Sequence, residues 1–334
     1  VQDNLAPVAV CQPLTVQLDA SGNATITPAQ VDNGSSDNCA IASLNLDVTS
    51  FDCSNVGANT VTLTATDVNG NSSSCTATIT VQDNLAPVAV CQPLTVQLDA
   101  SGNATITPVQ VDNGSSDNCA IASLNLDVTS FDCSNVGANT VTLTATDVNG
   151  NSSSCTATIT VQDNLAPVAV CQPLTVQLDA SGNAVITPAQ VDNGSSDNCA
   201  IASLNLDVTS FDCSNVGANT VTLTATDVNG NSSSCTTTVT VQDNLAPLAV
   251  CQPLTVQLDA SGNATITPAQ VDNGSSDNCA IASLNLDVTS FDCSNVGANT
   301  VTLTATDVNG NSSQLHRHRH RTGQPGPPWP SASP

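Results

Sequence analysis

Residues 60–82 read TVTLTATDVNGNSSSCTATITVQ, and their alternation decides the fold. Val61, Leu63 and Ala65 share one face of an extended chain, while Thr60, Thr62, Thr64 and Thr66 share the other. After the turn-forming DVNGN, Cys75, Ala77, Ile79 and Val81 face one way and Thr76, Thr78 and Thr80 the opposite way. A period of two is that of a half-buried β-strand, and β-branched threonine suits the face toward water.

The same pattern extends outward. Leu14, Val16 and Leu18 alternate, DASGN makes a turn, and Ala24 and Ile26 continue on a return strand. Ala42, Leu44, Leu46 and Val48 form a further alternating set, and no segment carries a sustained helical period. Six or seven short strands in about 80 residues, separated by Gly, Asn, Asp and Pro, predict an antiparallel two-sheet sandwich of immunoglobulin type.

The unit recurs. The 80-residue block that opens at Val1 returns at Val81, Val161 and Val241, and up to Ser313 only Val109, Val185, Thr237, Val239 and Leu248 depart from it. A repeat this long, with its own turns and cysteines, is a small domain rather than one turn of a solenoid. The expected domains are residues 1–82, 83–162, 163–242 and a truncated 243–313. The junction VQDNLAP is short and stiffened by Pro7, which predicts end-to-end stacking in a linear array. The chain starts in mid-pattern, without signal peptide or membrane span, as a segment of a longer secreted protein would.

Composition narrows function. Each complete repeat has seven Asp and no Glu, Lys, Arg or His, so the repeats carry 28 negative charges and no positive side chain. Nucleic acid and an anionic membrane surface both require Lys and Arg and are excluded as partners. Charge of this density must be screened by salt or neutralised by bound cations. Catalysis is disfavoured as well. The repeats offer only Asp as an acid or base, and no His or Lys to activate Ser or Cys.

The cysteines stand at Cys11, Cys39, Cys53 and Cys75 of the first repeat and recur in the others, 15 in all because the fourth repeat lacks its last. Four per domain without His or a C-x-x-C pair indicates disulfides in an oxidising, extracellular setting. A core whose only aromatic residue is Phe51 needs such staples. Of the three possible pairings, the favoured one gives two intradomain bonds per repeat. Cys11–Cys75, Cys91–Cys155 and Cys171–Cys235 would tie the opening strand to the closing strand. Cys39–Cys53, Cys119–Cys133, Cys199–Cys213 and Cys279–Cys293 would each pin a local excursion. Each bridge is expected to contribute roughly 3–4 kcal/mol in the loop-entropy model.

From Gln314 the repeat gives way to QLHRHRHRTGQPGPPWPSASP. One nucleotide inserted ahead of a coding for the expected SCTATVTVQDNL yields QLHRHRHRTGQP, and a second insertion yields GPPWPSASP. Residues 314–334 therefore read as a frameshifted, non-native tail. Leu315 stands where a sixteenth cysteine belonged, Cys251 is expected to lack its disulfide partner, and His316, His318, His320 and Trp329 carry no function.

The D-x-x-A-P junction, the cysteine-bearing first strand, LDASGNATIT, DNGSSDNC and TVTLTATDVNGNSSSC together resemble the HYR (hyalin repeat) domain. The likeness is greatest to tandem versions in large secreted surface proteins of Bacteroidetes-type bacteria. It covers each repeat end to end and implies an Ig-like sandwich with a role in extracellular adhesion or matrix. The chain departs from animal members in lacking their core aromatics and in its extra Cys39/Cys53 pair.

Three Asp/Asn clusters recur, and an Ig-like topology would gather Asp3, Asp37, Asp67, Asn69 and Asn71 at the pole where the chain enters a repeat. The equivalents are Asp83, Asp117, Asp147, Asn149 and Asn151; Asp163, Asp197, Asp227, Asn229 and Asn231; and Asp243, Asp277, Asp307, Asn309 and Asn311. Carboxylate and amide oxygens at a junction suit Ca²⁺, which takes six to eight oxygens in forgiving geometry. Turn chemistry alone also accounts for Asp, Asn and Gly at such places. Sequons occur at Asn23, Asn33 and Asn71.

The expected function is structural: a stiff, acidic, non-catalytic extracellular rod or fibre, as an adhesin stalk or matrix filament, with Ca²⁺ at its junctions. Its partners would be neighbouring repeats, copies of itself, and glycans. A multivalent carbohydrate- or protein-binding array and a self-polymerising filament subunit are the alternatives.

Overall fold

A computed structural model describes residues 2–321, with the side chains of 317–321 excepted. It is all-β, built of repeated Ig-like sandwiches, and divides into two compact units, Val1–Asn164 and Leu165–Pro334.

In the first unit, β1 (Leu14–Gln17), β6 (Ser72–Gln82), β5 (Gly57–Asp67) and β3 (Ile41–Leu46) form one sheet in that order. β2 (Asn23–Thr25) and β4 (Ser50–Asp52) form the facing ribbon. The long β5–β6 pair is the stretch quoted first, in register Leu63↔Cys75 and Val61↔Ala77. Its inward residues Val61, Leu63, Ile79 and Val81 are buried and pack with Leu18, Ala24, Ile26, Val31 and Phe51. At about 25 cal/mol per Å² of apolar surface, this small-residue core is modest. The Cys11–Cys75 bond, with Cα atoms 5.8 Å apart, reinforces it from β6.

Three features depart from a plain antiparallel reading. β1 pairs with β6 in parallel, Leu14 opposite Ile79. In β3 a register shift between Ile41 and Ser43 breaks the alternation, so Ala42 is exposed rather than sharing the face of Leu44 and Leu46, and Val48, beyond the end of the strand, is exposed as well. A single helical turn, α1 (Pro28–Val31), buries Val31. Its signal lay in TPAQ: the Thr27 amide donates to Gln30 Oε1 (2.8 Å), and proline opens the turn.

The second half of the unit repeats this plan with β7 (Leu94–Gln97), β8 (Asn103–Thr105), β9 (Ile121–Leu126), β10 (Ser130–Asp132), β11 (Gly137–Asp147) and β12 (Ser152–Gln162). Its sheet order is β7-β12-β11-β9, beside a β8–β10 ribbon.

In the second unit, strands Leu174–Gln177, Ser232–Gln242, Gly217–Asp227 and Ile201–Leu206 form the same four-stranded sheet. The last sheet has three strands, Ile281–Leu286, Ala298–Asp307 and Ser312–Arg321. Residues 254–257, equivalent to β1, carry no strand there. Arg319 and Arg321 stand in sequence where the first repeat has Ile79 and Val81, the residues opposite Leu14 and Val16. Leu315 faces Leu303 in the register that Cys75 holds against Leu63, and buried Cys251 donates its thiol to the Leu315 carbonyl (3.8 Å). Residues 322–334, Trp329 among them, lie outside the described residues. No helix among the described residues is long and apolar enough to cross a membrane.

Candidate metal centre

An enclosed acidic group lies inside the first unit. Asp83 follows the end of β6, Asp117 lies in the loop between α2 (Pro108–Val111) and β9, and Asp147 ends β11. One carboxylate oxygen from each falls within 4.8 Å of the other two. Asp83 and Asp147 are only 6% and 2% exposed, so water screens them poorly.

The turn after β11 explains part of this arrangement. Asp147 Oδ1 accepts from the main-chain amides of Asn149 (2.9 Å) and Asn151 (2.8 Å), and Oδ2 from Asn151 Nδ2 (2.8 Å). Burial works against ionisation of Asp147, but the hydrogen bonds from Asn151, Asn149 and Gly150 outweigh it and hold the carboxyl below its ordinary value. The same asparagines brace the linker: Asn149 Nδ2 donates to Asp83 Oδ2 (2.7 Å) and Asn151 Nδ2 to the Asp83 carbonyl (3.1 Å).

Asp117 differs. Its Oδ2 accepts from the Cys119 and Ala120 amides (2.9 and 3.3 Å), whereas its Oδ1 is buried without a hydrogen-bond partner. Asn118 Oδ1 is likewise buried and unsatisfied, while its Nδ2 donates to Asp83 Oδ1 (3.2 Å) and, across to the preceding repeat, to the Asp19 carbonyl (3.3 Å). Two orphaned oxygens on adjacent residues, beside two buried carboxylates, are acceptors without a donor. A hard cation is the partner such a group of acceptors lacks. Asp83, Asp117 and Asp147 would hold it, and further oxygens would complete the six to eight that calcium requires.

The second unit repeats the cluster with Asp243, Asp277 and Asp307, and Asn278 Oδ1 is again buried and unsatisfied. Asn309 Nδ2 and Asn311 Nδ2 donate to Asp243 Oδ2 (2.7 Å) and its carbonyl (2.9 Å). Asp163 belongs to the first unit and Asp197, Asp227, Asn229 and Asn231 to the second. In the first repeat the group is Asp3, Asp37 and exposed Cys39. There the Cys39 thiol, with the Leu5 amide and against some burial, lowers the Asp3 pKa, and Asp3 raises that of Cys39.

Sequence had grouped these Asp residues, but it assigned Asn69, Asn71 and their equivalents as oxygen ligands. The structure presents their nitrogens instead, Asn69 Nδ2 to Asp3 Oδ2 (3.1 Å) and Asn71 Nδ2 to the Asp3 carbonyl (3.2 Å). Asn118 and Asn278, not singled out from sequence, supply the spare oxygens. Their signal was the DN pair before each cysteine. Of the sequons, Asn71 spends its amide on Asp67, Asp3 and Leu5, whereas Asn23 and Asn33 are exposed.

The disulfides correct the sequence expectation at the same junction. Cys11–Cys75, Cys91–Cys155 and Cys171–Cys235 are formed. Cys39–Cys53, Cys119–Cys133, Cys199–Cys213 and Cys279–Cys293 are not. Cys53 instead bonds Cys119 and Cys213 bonds Cys279, each joining one repeat to the next with Cα atoms 5.4 Å apart, while Cys39 and Cys293 are thiols. The reason is distance. Cys53 lies just before β5 starts, and Cys39 lies beside its end, where the Val68 amide donates to the Ala40 carbonyl (3.2 Å). Eleven strand residues span about 33 Å, whereas bonded cysteines need Cα atoms within about 7 Å.

No protein-family model matches the chain, and no curated protein matches it. Among solved structures, the protocadherin γB4 extracellular domain is similar at 16% identity, covering 96% of this chain and 67% of that one, with a TM-score of 0.32. Protocadherin γB7 EC3–6, a cis-dimer structure, is similar at 17% identity over 92% and 98%, with a TM-score of 0.31. Drosophila N-cadherin EC1–4 is similar at 12% identity over 93% and 100%, with a TM-score of 0.29.

Proposed function

We propose that this chain is a non-catalytic, extracellular structural segment whose Ig-like domains, residues 1–82, 83–162, 163–242 and 243–313, are stiffened at their junctions by Ca²⁺ and by disulfides. It serves as an acidic rod or fibre that extends an adhesive part from a surface or builds a matrix, in the manner of HYR-type bacterial surface proteins. The observation that carries this reading is the group of Asp83, Asp117 and Asp147, with the orphaned oxygens of Asp117 and Asn118 beside it.

Three carboxylates so close repel one another, and no basic side chain exists in the repeats to offset them. A divalent cation turns that repulsion into attraction between linker and loops. Because Asp83 leaves the earlier sandwich directly after β6 and Asp117 and Asp147 belong to the later one, the ion limits swing at the linker. Rigidity of this kind suits a spacer rather than a catalyst.

The test is calorimetric titration of Ca²⁺ into the EDTA-treated chain, with thermal unfolding in parallel. Saturable binding and a raised Tm are expected, since ligand at 100-fold its Kd stabilises by about 2.7 kcal/mol per site. The Asp117→Asn variant should lose part of the binding. Neither heat nor a Tm change on adding Ca²⁺ would remove calcium from the account. Small-angle scattering with compact, rather than elongated, dimensions would remove the rod.

A further inference from the structure

Asp117 is tied to two sandwiches at once. Its own repeat holds it in the loop before β9, where the Cys119 amide donates to its Oδ2 (2.9 Å). Two residues on from Asp117, Cys119 is bonded to Cys53, which follows β4 of the preceding repeat. Asn118, between them, is clamped as well. Its Nδ2 donates to Asp83 Oδ1 on the linker (3.2 Å) and to the Asp19 carbonyl in the β1–β2 turn (3.3 Å), and its carbonyl oxygen lies 3.5 Å from Cys53 Sγ.

We propose that the disulfide between repeats sets the affinity of the cation site: closing Cys53–Cys119, or Cys213–Cys279, tightens Ca²⁺ binding, and opening the bond with a thiol weakens it. The proposal rests on the reading of Asp83, Asp117 and Asp147 as a calcium site.

The three carboxylates come from segments that the junction holds together. Asp83 stands on the linker, Asp147 ends β11 and Asp117 lies in the bonded loop. Oxygens of all three fall within 4.8 Å of one another, and the repeats contain no positive side chain to offset them. Without the ion, their repulsion pushes the loop away from the linker. The S–S bond opposes that movement, because it fixes Cys119 two residues from Asp117. Asp117 Oδ1, buried without a hydrogen-bond partner, then stays beside the other carboxylates before the ion arrives. A site already held in its binding shape loses less freedom on filling and binds more tightly.

The second unit has the same arrangement, built from its own residues. Cys213 bonds Cys279, with Cys213 Sγ 3.6 Å from the Asn278 carbonyl oxygen. The Cys279 amide donates to Asp277 Oδ2 (2.9 Å), and Asn278 Nδ2 donates to Asp243 Oδ1 and to the Asp179 carbonyl (3.2 Å each). Cys11–Cys75, by contrast, lies within one sandwich and belongs to neither the linker nor the loop.

Linkage makes the effect reciprocal: the factor by which the bond raises calcium affinity is the factor by which calcium favours the closed bond. Opening takes two molecules of a small thiol such as glutathione. One thiolate attacks a sulfur of the bond, displacing the other cysteine and leaving a mixed disulfide, and a second thiolate releases the first cysteine. The protein bond gains two electrons, the reagent becomes its disulfide, and its two protons pass to the released cysteines.

The test has two arms on the 334-residue chain. In the first, Ca²⁺ is titrated calorimetrically into EDTA-stripped protein carrying Cys53→Ser with Cys119→Ser, and into a quadruple variant that adds Cys213→Ser with Cys279→Ser. Circular dichroism checks that the sandwiches remain folded. Affinity should fall about tenfold, within the usual range of coupling between sites, at one junction in the double variant and at two in the quadruple. Cys11→Ser with Cys75→Ser, which removes a bond of similar loop length, should leave affinity unchanged below its melting temperature. In the second arm the unsubstituted chain is equilibrated across glutathione redox ratios, and the alkylated thiols are counted by intact mass. Ca²⁺ should shift the opening of two bonds by the same factor, and that shift should vanish in the quadruple variant.

Equal calcium affinity with and without the bonds would sink the coupling and leave the calcium site standing. Equal loss in the Cys11 and Cys75 control, or a thiol–disulfide balance indifferent to Ca²⁺, would overturn it too, by reducing the bonds to general staples. An oxidised, folded chain that binds no Ca²⁺ would remove the site and the coupling together.

Discussion

Gly22 lies so close to Asn118 that a Cβ added to it would sit 2.7 Å from the Asn118 carbonyl oxygen and 2.7 Å from Cys53 Sγ. The β1–β2 turn of one repeat is thus the docking surface for the loop of the next, and the only side chain it tolerates there is a hydrogen atom. Gly22 also has φ +74°, which L-residues avoid. Gly22→Ala should therefore lower stability by more than the roughly 1 kcal/mol of left-handed strain and slow closure of Cys53–Cys119. Gly34→Ala is the control, because Gly34 has φ +86° and nothing within 4 Å. Thiol counting during oxidative refolding and thermal melts separate the two. Equal effects of both substitutions would mean that the close approach costs nothing.

The two kinds of disulfide should fail differently. Cys11–Cys75 and Cys53–Cys119 close loops of similar separation, 64 and 66 residues, so each restricts the unfolded chain by about 4 kcal/mol in the loop-entropy model. Cys11 and Cys75 lie within one sandwich, so the double Ser variant should unfold that repeat at lower temperature. Cys53 and Cys119 lie in different sandwiches. Their double Ser variant should leave each one folded and broaden or split the calorimetric transition of the first unit. A single sharp transition, merely shifted, would show that the core contacts alone couple the two repeats.

How far sequence reached depended on whether a feature is local. The alternation of residues 60–82 identified β5 and β6 and their buried face, because a period of two directly reports which side is covered. The alternation around Ala42 misled, because one residue of bulge between Ile41 and Ser43 exchanges the faces without changing composition. The Asp residues of the junction were grouped from loop topology, and the grouping in Asp83, Asp117 and Asp147 follows it. The Cys39–Cys53 pairing went astray because nearness in sequence stood in for nearness in space, and the length of β5 lies between them. An identical repeat also hides whether a bond is made within a unit or to the next, since both give the same cysteine spacing.

Acid should weaken the fold in a defined window. The Ser35 hydroxyl, against some burial and helped by the Ser35 and Gly34 amides, holds Asp32 below the ordinary 3.8. The Thr62 amide, 2.8 Å away, does most to lower Asp47, again against burial. A carboxylate whose folded pKa is depressed contributes stability above its unfolded pKa and loses it as pH falls through the folded value. In EDTA, Tm should be flat from neutrality to about pH 5 and fall below about pH 4. Asp32→Asn and Asp47→Asn should each shrink that decline. A Tm that rises on acidification would show that relief of repulsion among the 28 Asp outweighs these hydrogen bonds.

Leu315 offers a test of what the fourth repeat has lost. It faces Leu303 as Cys75 faces Leu63, and the Cys251 thiol already donates to its carbonyl at 3.8 Å. The Cys11–Cys75 pair has the same relation between these strands, with Cα atoms 5.8 Å apart. Leu315→Cys should therefore form a bond to Cys251 during oxidative refolding, lowering the count of alkylatable thiols by one relative to the unsubstituted chain. The gain should stay below the roughly 4 kcal/mol of a loop this long, because Arg317, Arg319 and Arg321 stand in sequence where Ala77, Ile79 and Val81 complete the first sandwich. Replacing those three by Ala, Ile and Val as well should restore parallel pairing to residues 254–257 and bring the fourth repeat to the melting temperature of the others. If the bond forms but amide exchange across residues 254–257 stays fast in the repaired chain, the missing strand has a cause other than the lost apolar partners.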